Sequence, residues 1–426
     1  MENAPQSVAI PFKGRNAWLR NYLYYSTLIG VFSSVLILKL GLTIRWMYLA
    51  LLLFPLVVNA TRISPGILWF LLYLAASGAI GIARGTDSVS QVVIEFRAIS
   101  VNVLYYYFFF KLIHNDFERA FLAYTRLAYW FAIIALPLWV GSCIAQHGYV
   151  RLAGLATEPA EFCSIVLPAY YWYAYRFATA RKHLAEVIVF SLAVGLSVSS
   201  LGYLGVAFGI VLLLSGRRRT VLVAPVAALA LLSIIYALSS NFRVRVNDTV
   251  VAATTEDLTG ANFSTYSFIS NALVTREVLR ESPLIGNGLG SHPISHARFL
   301  SDIRGIEFFR EMGFENANAP EGGSLTFRVL SEFGILGYLG VLVFLIHFHV
   351  GTKGPRAAVS NALLTCFFFK LIRNGNYYQP EQFFFIFIYM FNYRSSMREA
   401  ARSPRASHRL PVTLLAHAQI SPRHSS

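Results

Sequence analysis

What limits this chain most is the recurrence of apolar runs about as long as a membrane is thick. A helix needs roughly 20 mostly apolar residues to cross the hydrocarbon core. Runs near that length occupy residues 22–38, 46–60, 66–83, 89–113, 119–144, 159–178, 184–198, 201–214, 219–238, 332–350, 357–373 and 380–393. Charged residues make up 13% of the 426, about half the share expected of a soluble protein. The expected fold class is an all-α integral membrane protein with about 12 transmembrane helices.

Lys and Arg in short loops prefer the cytoplasm, and they alternate along this chain. Lys13, Arg15, Arg20, Arg62, Lys111, Arg119, Arg176, Arg181, Lys182, Arg217, Arg218, Arg219, Lys353 and Arg356 fall in every second loop, and the basic tail joins that side. The opposite loops hold only Lys39, Arg45, Arg84, Arg151 and Arg373. Both termini are therefore expected in the cytoplasm. The net charge of +15 reads as this topology signal together with attraction to anionic membrane lipid, with no nucleic-acid partner. Residues 1–20 show no apolar core of a cleavable signal, so the first helix would direct insertion. Cys143, Cys163 and Cys366 have no metal-ligand spacing and are expected as free thiols.

The spacing of the runs divides the chain into a membrane bundle of about nine helices over 1–238, a long loop over 239–331, C-terminal membrane helices over 332–393 and a basic, disordered tail over 394–426. Long segments without a span are usually functional or disordered, and this one mixes polar turns with amphipathic pieces. In "SFISNALVTREVLRESPLIGNGLGSH", Phe268, Ala272, Leu273, Val278 and Leu279 have helical spacing and predict an amphipathic helix at the interface. Pro283 ends it, and Gly286, Gly288 and Gly290 predict a flexible turn. A nucleotide loop would need strand, glycines, then helix, whereas these glycines follow a helix. Backbone N–H groups turned toward a lipid diphosphate are still compatible with the turn. His292 and His296 are four apart, but Pro293 stands between them, so they read as loop histidines and no metal is expected.

Further on, Arg328 and Glu332 are four apart and would pair on one helix face. Gly334, Gly337 and Gly340 would let helices approach closely. Glu95 and Arg97 lie inside the fourth run, where charge normally faces the protein interior, and being two apart they need separate partners. "RLAGLATEPAEFC" places Arg151, Glu158 and Glu161 beside a span, with Glu158 and Pro159 suited to a helix start. "RNGNYYQ", Arg373 to Gln379, fills a loop with amides and rings of the kind that bind sugars.

Two blocks, "RESPLIGNGLGS" and "GGSLTFRVLSEFGILGYLG", resemble the long loop and following helix of the O-antigen polymerase and ligase superfamily, and "RLAGLATEPAEF" resembles a third block of its Wzy-type polysaccharide polymerases. The resemblance implies a GT-C-like membrane glycosyltransferase in the bacterial inner membrane. Its substrates would be undecaprenyl-diphosphate-linked oligosaccharides, joined at the periplasmic face without nucleotide sugar, metal or cofactor. A chain-length regulator and a flippase of the same pathway would be its partners. Diphosphate departure calls for arginines and the accepting hydroxyl for a base. Arg151, Glu158 and Arg276 are the candidate catalytic residues. Arg97, Arg280, Arg328, His292, His296, Asn376 and Tyr377 are the candidate substrate contacts. Many relatives carry a histidine before "SLTFRVLSEFGILG", where this chain has Gly322 and Gly323. That departure weakens a ligase reading and leaves the base open among His292, His296, Glu158 and Glu321. A lipid-linked oligosaccharide flippase is the alternative from another class.

Overall fold

The structure, a computed structural model, describes residues 16–32, 51–58, 63–215, 223–351 and 353–402. Lys13, Arg15, Lys39, Arg45, Arg62, Arg217, Arg218, Arg219 and the tail beyond Arg402 lie outside the described residues, as do parts of the first two apolar runs.

Among the described residues the regular elements are helical. The bundle begins with α1 (Ala17–Gly30), α2 (Pro65–Ala83), α3 (Val89–Leu112), α4 (Phe117–Ala145), α5 (Pro159–Ala180), α6 (Leu184–Ser197), α7 (Ser200–Ser215) and α8 (Val223–Leu238). The long loop holds α9 (Ser240–Thr255), α10 (Phe263–Glu281), α11 (His292–Phe299) and the short α12 (Glu307–Glu311). The bundle resumes with α13 (Leu325–His347), α14 (Pro355–Ile372) and α15 (Pro380–Arg402). Local sequence starts the helices. Ser88, Asp116 and Ser324 accept the backbone N–H three residues on, and Pro stands in the first turn of α2, α5 and α14.

Four described helices, α2, α3, α4 and α13, are long and apolar enough to cross a membrane; α8 and α9, bent by 106° at their junction, make a fifth if taken as one broken span. These helices mark a multi-pass membrane protein. Among these four, the most buried is the least apolar. The spanning window of α2 is 17% buried and strongly hydropathic, whereas that of α3 is 61% buried and less so. A helix that meets lipid must be greasy all round, but one enclosed by protein can carry polar groups. α5 and α14 pack against each other at the centre and bury Ser164, Ser360, Thr365 and Lys370. α7 packs against α5 through glycines: a Cβ at Gly202 would lie 2.6 Å from Cys163 Sγ, and one at Gly205 2.4 Å from Leu167 Cδ1. The three cysteines are free thiols.

Contacts between helix termini define two ends of the bundle. At one, Arg356 pairs with Glu118 and Glu399, tying the starts of α14 and α4 to the end of α15. The other carries the long loop, which is folded around a small core of its own, with Leu258, Tyr266, Ile269, Leu300, Ile306 and Phe309 buried together.

Two expectations about this loop change. The deeply buried face of α10 is not an apolar stripe on a membrane surface but includes Ser267, Ser270, Asn271 and Thr275, while Phe268, Ala272, Leu273 and Leu279 are only partly covered. The glycine turn is not flexible but wedged. A Cβ at Gly286 would lie 2.6 Å from the Ser331 carbonyl oxygen, and one at Gly288 2.8 Å from Gly81 Cα. Arg84 donates to Ser282 Oγ and the Gly286 carbonyl, each at 3.0 Å, and Thr86 donates to the Asn287 carbonyl at 2.7 Å.

The Gly334, Gly337, Gly340 series also acts differently from the close-packing stripe expected. α13 breaks at Gly334, where φ is 63° and ψ −164°, a conformation open essentially to glycine alone. The broken ladder is completed by the glycine turn. Ile335 and Leu336 donate to the carbonyls of Pro283 and Leu284, and the carbonyls of Ser331 and Glu332 accept from Asn287 and Gly288, at 2.9–3.1 Å. Every backbone group that the break releases finds a partner in the inserted turn. Gly340 has open space around it.

A Cβ at Gly334 would lie 2.4 Å from the Leu284 backbone. Gly334→Ala is therefore expected to cost at least about 1–3 kcal/mol in backbone strain, read as a lower thermal midpoint in detergent and faster amide exchange over residues 283–290. Gly340→Ala should change neither.

Candidate functional site

Two polar groupings lie at the loop end. The first is sealed. Arg328 is 0% exposed, pairs with Glu95 at 2.8 Å and Glu332 at 3.0 Å, donates to the Gly375 carbonyl at 3.2 Å and lies 4.0 Å over the Tyr377 ring. The expected Arg328 to Glu332 pair is present, and Glu95 reaches across from α3 to join it. This burial removes Arg328 and Tyr377 from the candidate substrate contacts, because neither side chain reaches a surface. Arg97 leaves the interior role expected of it, since it is exposed on the side of α3 away from buried Glu95. Asp87, in the turn before α3, lies near the same grouping; burial, with help from the charges of Glu332 and Glu95, raises its carboxyl to about 7.

His292 and His296 belong to a helix rather than a loop, because Pro293 occupies the first turn of α11, where its missing N–H costs nothing. Both are fully buried. His292 Nε2 lies 2.9 Å from Asn271 Oδ1, which makes the ring nitrogen the donor. Burial holds His292 well below the ordinary imidazole value and takes His296 down to about 4. Enclosed by protein, neither imidazole presents a surface to a substrate. Among the described residues no group of three or more His, Cys, Asp or Glu could hold a metal ion.

The second grouping is open. Arg151 donates from Nε and Nη2 to the carbonyls of Ser197 and Val198 at 3.2 and 3.0 Å, where α6 ends. Those two bonds aim the guanidinium and leave Nη1 outside them. Glu158 is the exposed residue before α5, and Pro159 opens that helix, as the sequence suggests. The charges of Arg151, Arg373 and Glu158 act on Arg245 of α9, and those of Glu158 and Glu321 act on Arg373. Three arginines and two carboxylates, drawn from four separate stretches of chain, are thus linked by their charges at the loop end. Asn376 belongs to its frame: its Nδ2 donates to Glu321 Oε1 at 3.3 Å.

Arg276 and Arg280 are not part of that grouping. Arg276 makes a two-pronged pair with Glu256 and reaches Glu277 at 3.2 Å, and Arg280 binds Glu277 at 2.7 Å. Both pairs are on the loop surface, held by neighbours on α10 and the end of α9. The glycine turn offers no diphosphate cradle either. The N–H groups of Gly286, Asn287 and Gly288 are bonded within the protein, and that of Gly290 faces the Glu332 carboxylate.

The chain matches no family model, no curated protein and no solved structure. The arrangement must therefore be read from its own chemistry. Arg245, which the sequence reading passed over, carried one signal: it lies just past the last apolar run before the long loop, seven residues after Leu238. The buried pair of Lys370 with Glu381 at 2.7 Å was also missed; the two lie at facing ends of consecutive apolar runs.

Replacing Arg328 with Leu would strand two buried carboxylates, a loss of about 3–5 kcal/mol, read as a collapsed thermal midpoint; Arg276→Ala should leave the midpoint near that of the parent. Acid should loosen α11. The folded His296 value near 4 lies below the ordinary 6.5, so its contribution is complete above about 6.5 and is lost as pH falls through about 4. Asp87 acts in the opposite sense, its contribution being present below 3.8 and lost as pH rises through about 7. The difference in α11 amide exchange between the parent and His296→Leu isolates the histidine, and it should grow as pH is lowered from 6.5.

Proposed function

We propose that this chain is a membrane glycosyltransferase that polymerises undecaprenyl-diphosphate-linked oligosaccharide units into a bacterial exopolysaccharide or O-antigen. On this reading the bundle has about twelve spans in a GT-C-like arrangement in the inner membrane, the termini are cytoplasmic, and the long loop faces the periplasm. A chain-length regulator and a flippase would work beside it, and neither metal nor nucleotide takes part. The observation that carries the proposal is the convergence of Arg151, Arg245 and Arg373 with Glu158 and Glu321 beside the bundle end. Three like charges gathered in one place repel one another, and a bound anion relieves the cost. A diphosphate fits that requirement, and guanidinium groups match its oxygens as paired donors.

The chemistry follows from those charges. The hydroxyl oxygen of the accepting unit bonds to the anomeric carbon of the donor glycan as the bond from that carbon to the diphosphate oxygen breaks. The electron pair leaves with the diphosphate, where the arginines stabilise it most strongly in the transition state. The hydroxyl proton passes to a base in the site. The pairing of Lys370 with Glu381 lies next to the 373–379 turn rather than at mid-length of α14 or α15. This supports chemistry at one face over passage of a substrate through the middle, where transport folds place their polar groups.

Purified protein in lipid vesicles, given an undecaprenyl-diphosphate-linked repeat unit without nucleotide sugar, should yield a ladder that grows by whole units and release lipid diphosphate. Arg151→Ala and Arg373→Ala should each slow extension by about 10²–10³-fold at unchanged protein level, and Arg276→Ala should extend normally. Movement of the unit across sealed vesicles without a ladder would replace this reading with a flippase.

A further inference from the structure

We infer that Glu321 is the base that takes the proton of the accepting sugar hydroxyl, an assignment that rests on the glycan-transfer reading of the same site. Four groups were open to that role from the sequence, and burial removes two: His292 and His296 are enclosed and aimed at no surface. Glu158 and Glu321 remain, and both act on Arg373.

Their settings differ. Glu158 is exposed and makes no side-chain hydrogen bond to the helix it precedes. Glu321 is half-buried and stands three residues before Ser324, the cap of α13. It closes a single turn, Ala319–Glu321, between two residues in the left-handed region, Asn318 at φ 57° and Gly322 at φ 63°. Its backbone is pressed against the neighbouring turn so closely that a Cβ at Gly375 would overlap the Glu321 carbonyl oxygen. Asn374 N–H donates to the Gly323 carbonyl at 3.2 Å, stitching the two turns together. Asn376 Nδ2 then donates to Glu321 Oε1 at 3.3 Å, which orients the carboxylate and leaves Oε2 to receive a proton. A catalytic base must be held in place against a substrate that is itself held. Of the two carboxylates in the site, Glu321 alone is fixed by its surroundings.

The step balances simply. As the acceptor oxygen bonds to the anomeric carbon and the bond to diphosphate breaks, the hydroxyl proton moves to Glu321 Oε2, and Glu321 later returns it to water. Arg373, on which both carboxylates act, steadies the leaving charge.

The test compares the full-length parent with Glu321→Gln and Glu321→Asp in vesicles carrying the lipid-linked repeat unit. Extension by Glu321→Gln should fall by about 10²–10⁴-fold. Its thermal midpoint, and the rise in midpoint on adding the lipid-linked unit, should match the parent. The parent's rate should fall on the acid side of a carboxylate titration, and Glu321→Gln should lose that limb. Glu321→Asp should keep the limb at a reduced rate. Extension by Glu321→Gln at the parental rate overturns the inference, as does a loss of substrate-induced stabilisation along with the rate. Removal of the acid limb by Glu158→Gln instead would move the role to Glu158. A parent that makes no ladder at all would bring down the glycan-transfer reading itself, an outcome separate from each of these.

Discussion

The loop end of this protein is organised around one buried cation. Arg328 stands in a region where an unpaired charge would cost several kcal/mol, so its neighbours must come to it. Glu95 is supplied by α3, Glu332 by α13, and Tyr377 and the Gly375 carbonyl by the turn between α14 and α15. Three parts of the bundle, far apart in sequence, are thereby held to one point. The turn that carries Gly375 and Tyr377 also carries Arg373 and Asn376. The guanidinium that never meets solvent thus sets the position of one that does.

This division explains why the two groupings have opposite character. In the sealed one, a single guanidinium is shared by two carboxylates and covered by the Tyr377 ring and the Gly375 carbonyl, an arrangement that gives rigidity and keeps the cation from solvent. In the open one, arginines gather against like-charge repulsion with only Glu158 and Glu321 to moderate it. Stability would favour dispersing them. Their convergence costs folding free energy that the two carboxylates offset in part.

The helices were legible in the sequence because lipid imposes a length and a composition on anything that crosses it. The edges of α2, α3, α5 and α14 fall close to the apolar runs, and Glu158 with Pro159 announces a helix start correctly. The i, i+4 pair of Arg328 and Glu332 was readable for the same local reason. What periodicity could not supply was the side on which each charge would lie. Arg276 and Arg328 look alike in sequence, each beside a glutamate in an amphipathic stretch, yet one faces solvent and the other is sealed. Which outcome occurs depends on Glu95, more than 200 residues away. The polar face of α10 was misread because an apolar pattern was taken to mark the covered side, whereas Asn271 and Ser267 are buried to serve His292 and Asn318. His292 and His296 were assigned to a loop because a proline between them was read as a break, when at a helix start it is an opening.

The exchange of backbone hydrogen bonds at Gly334 bears on how this architecture can diversify. Residues 283–288 are threaded into the ladder of α13, so the chain entering this part of the loop and the chain leaving it are clasped at a common base. Whatever lies between is hung from that clasp and does not transmit its length to the helices below. Insertions and deletions over residues 300–316 would alter the segment that hangs from the clasp while the clasp kept its dimensions. Such a fold can vary the segment hung from the clasp without rebuilding the bundle beneath it, much as a lens mount accepts different lenses on an unchanged camera body.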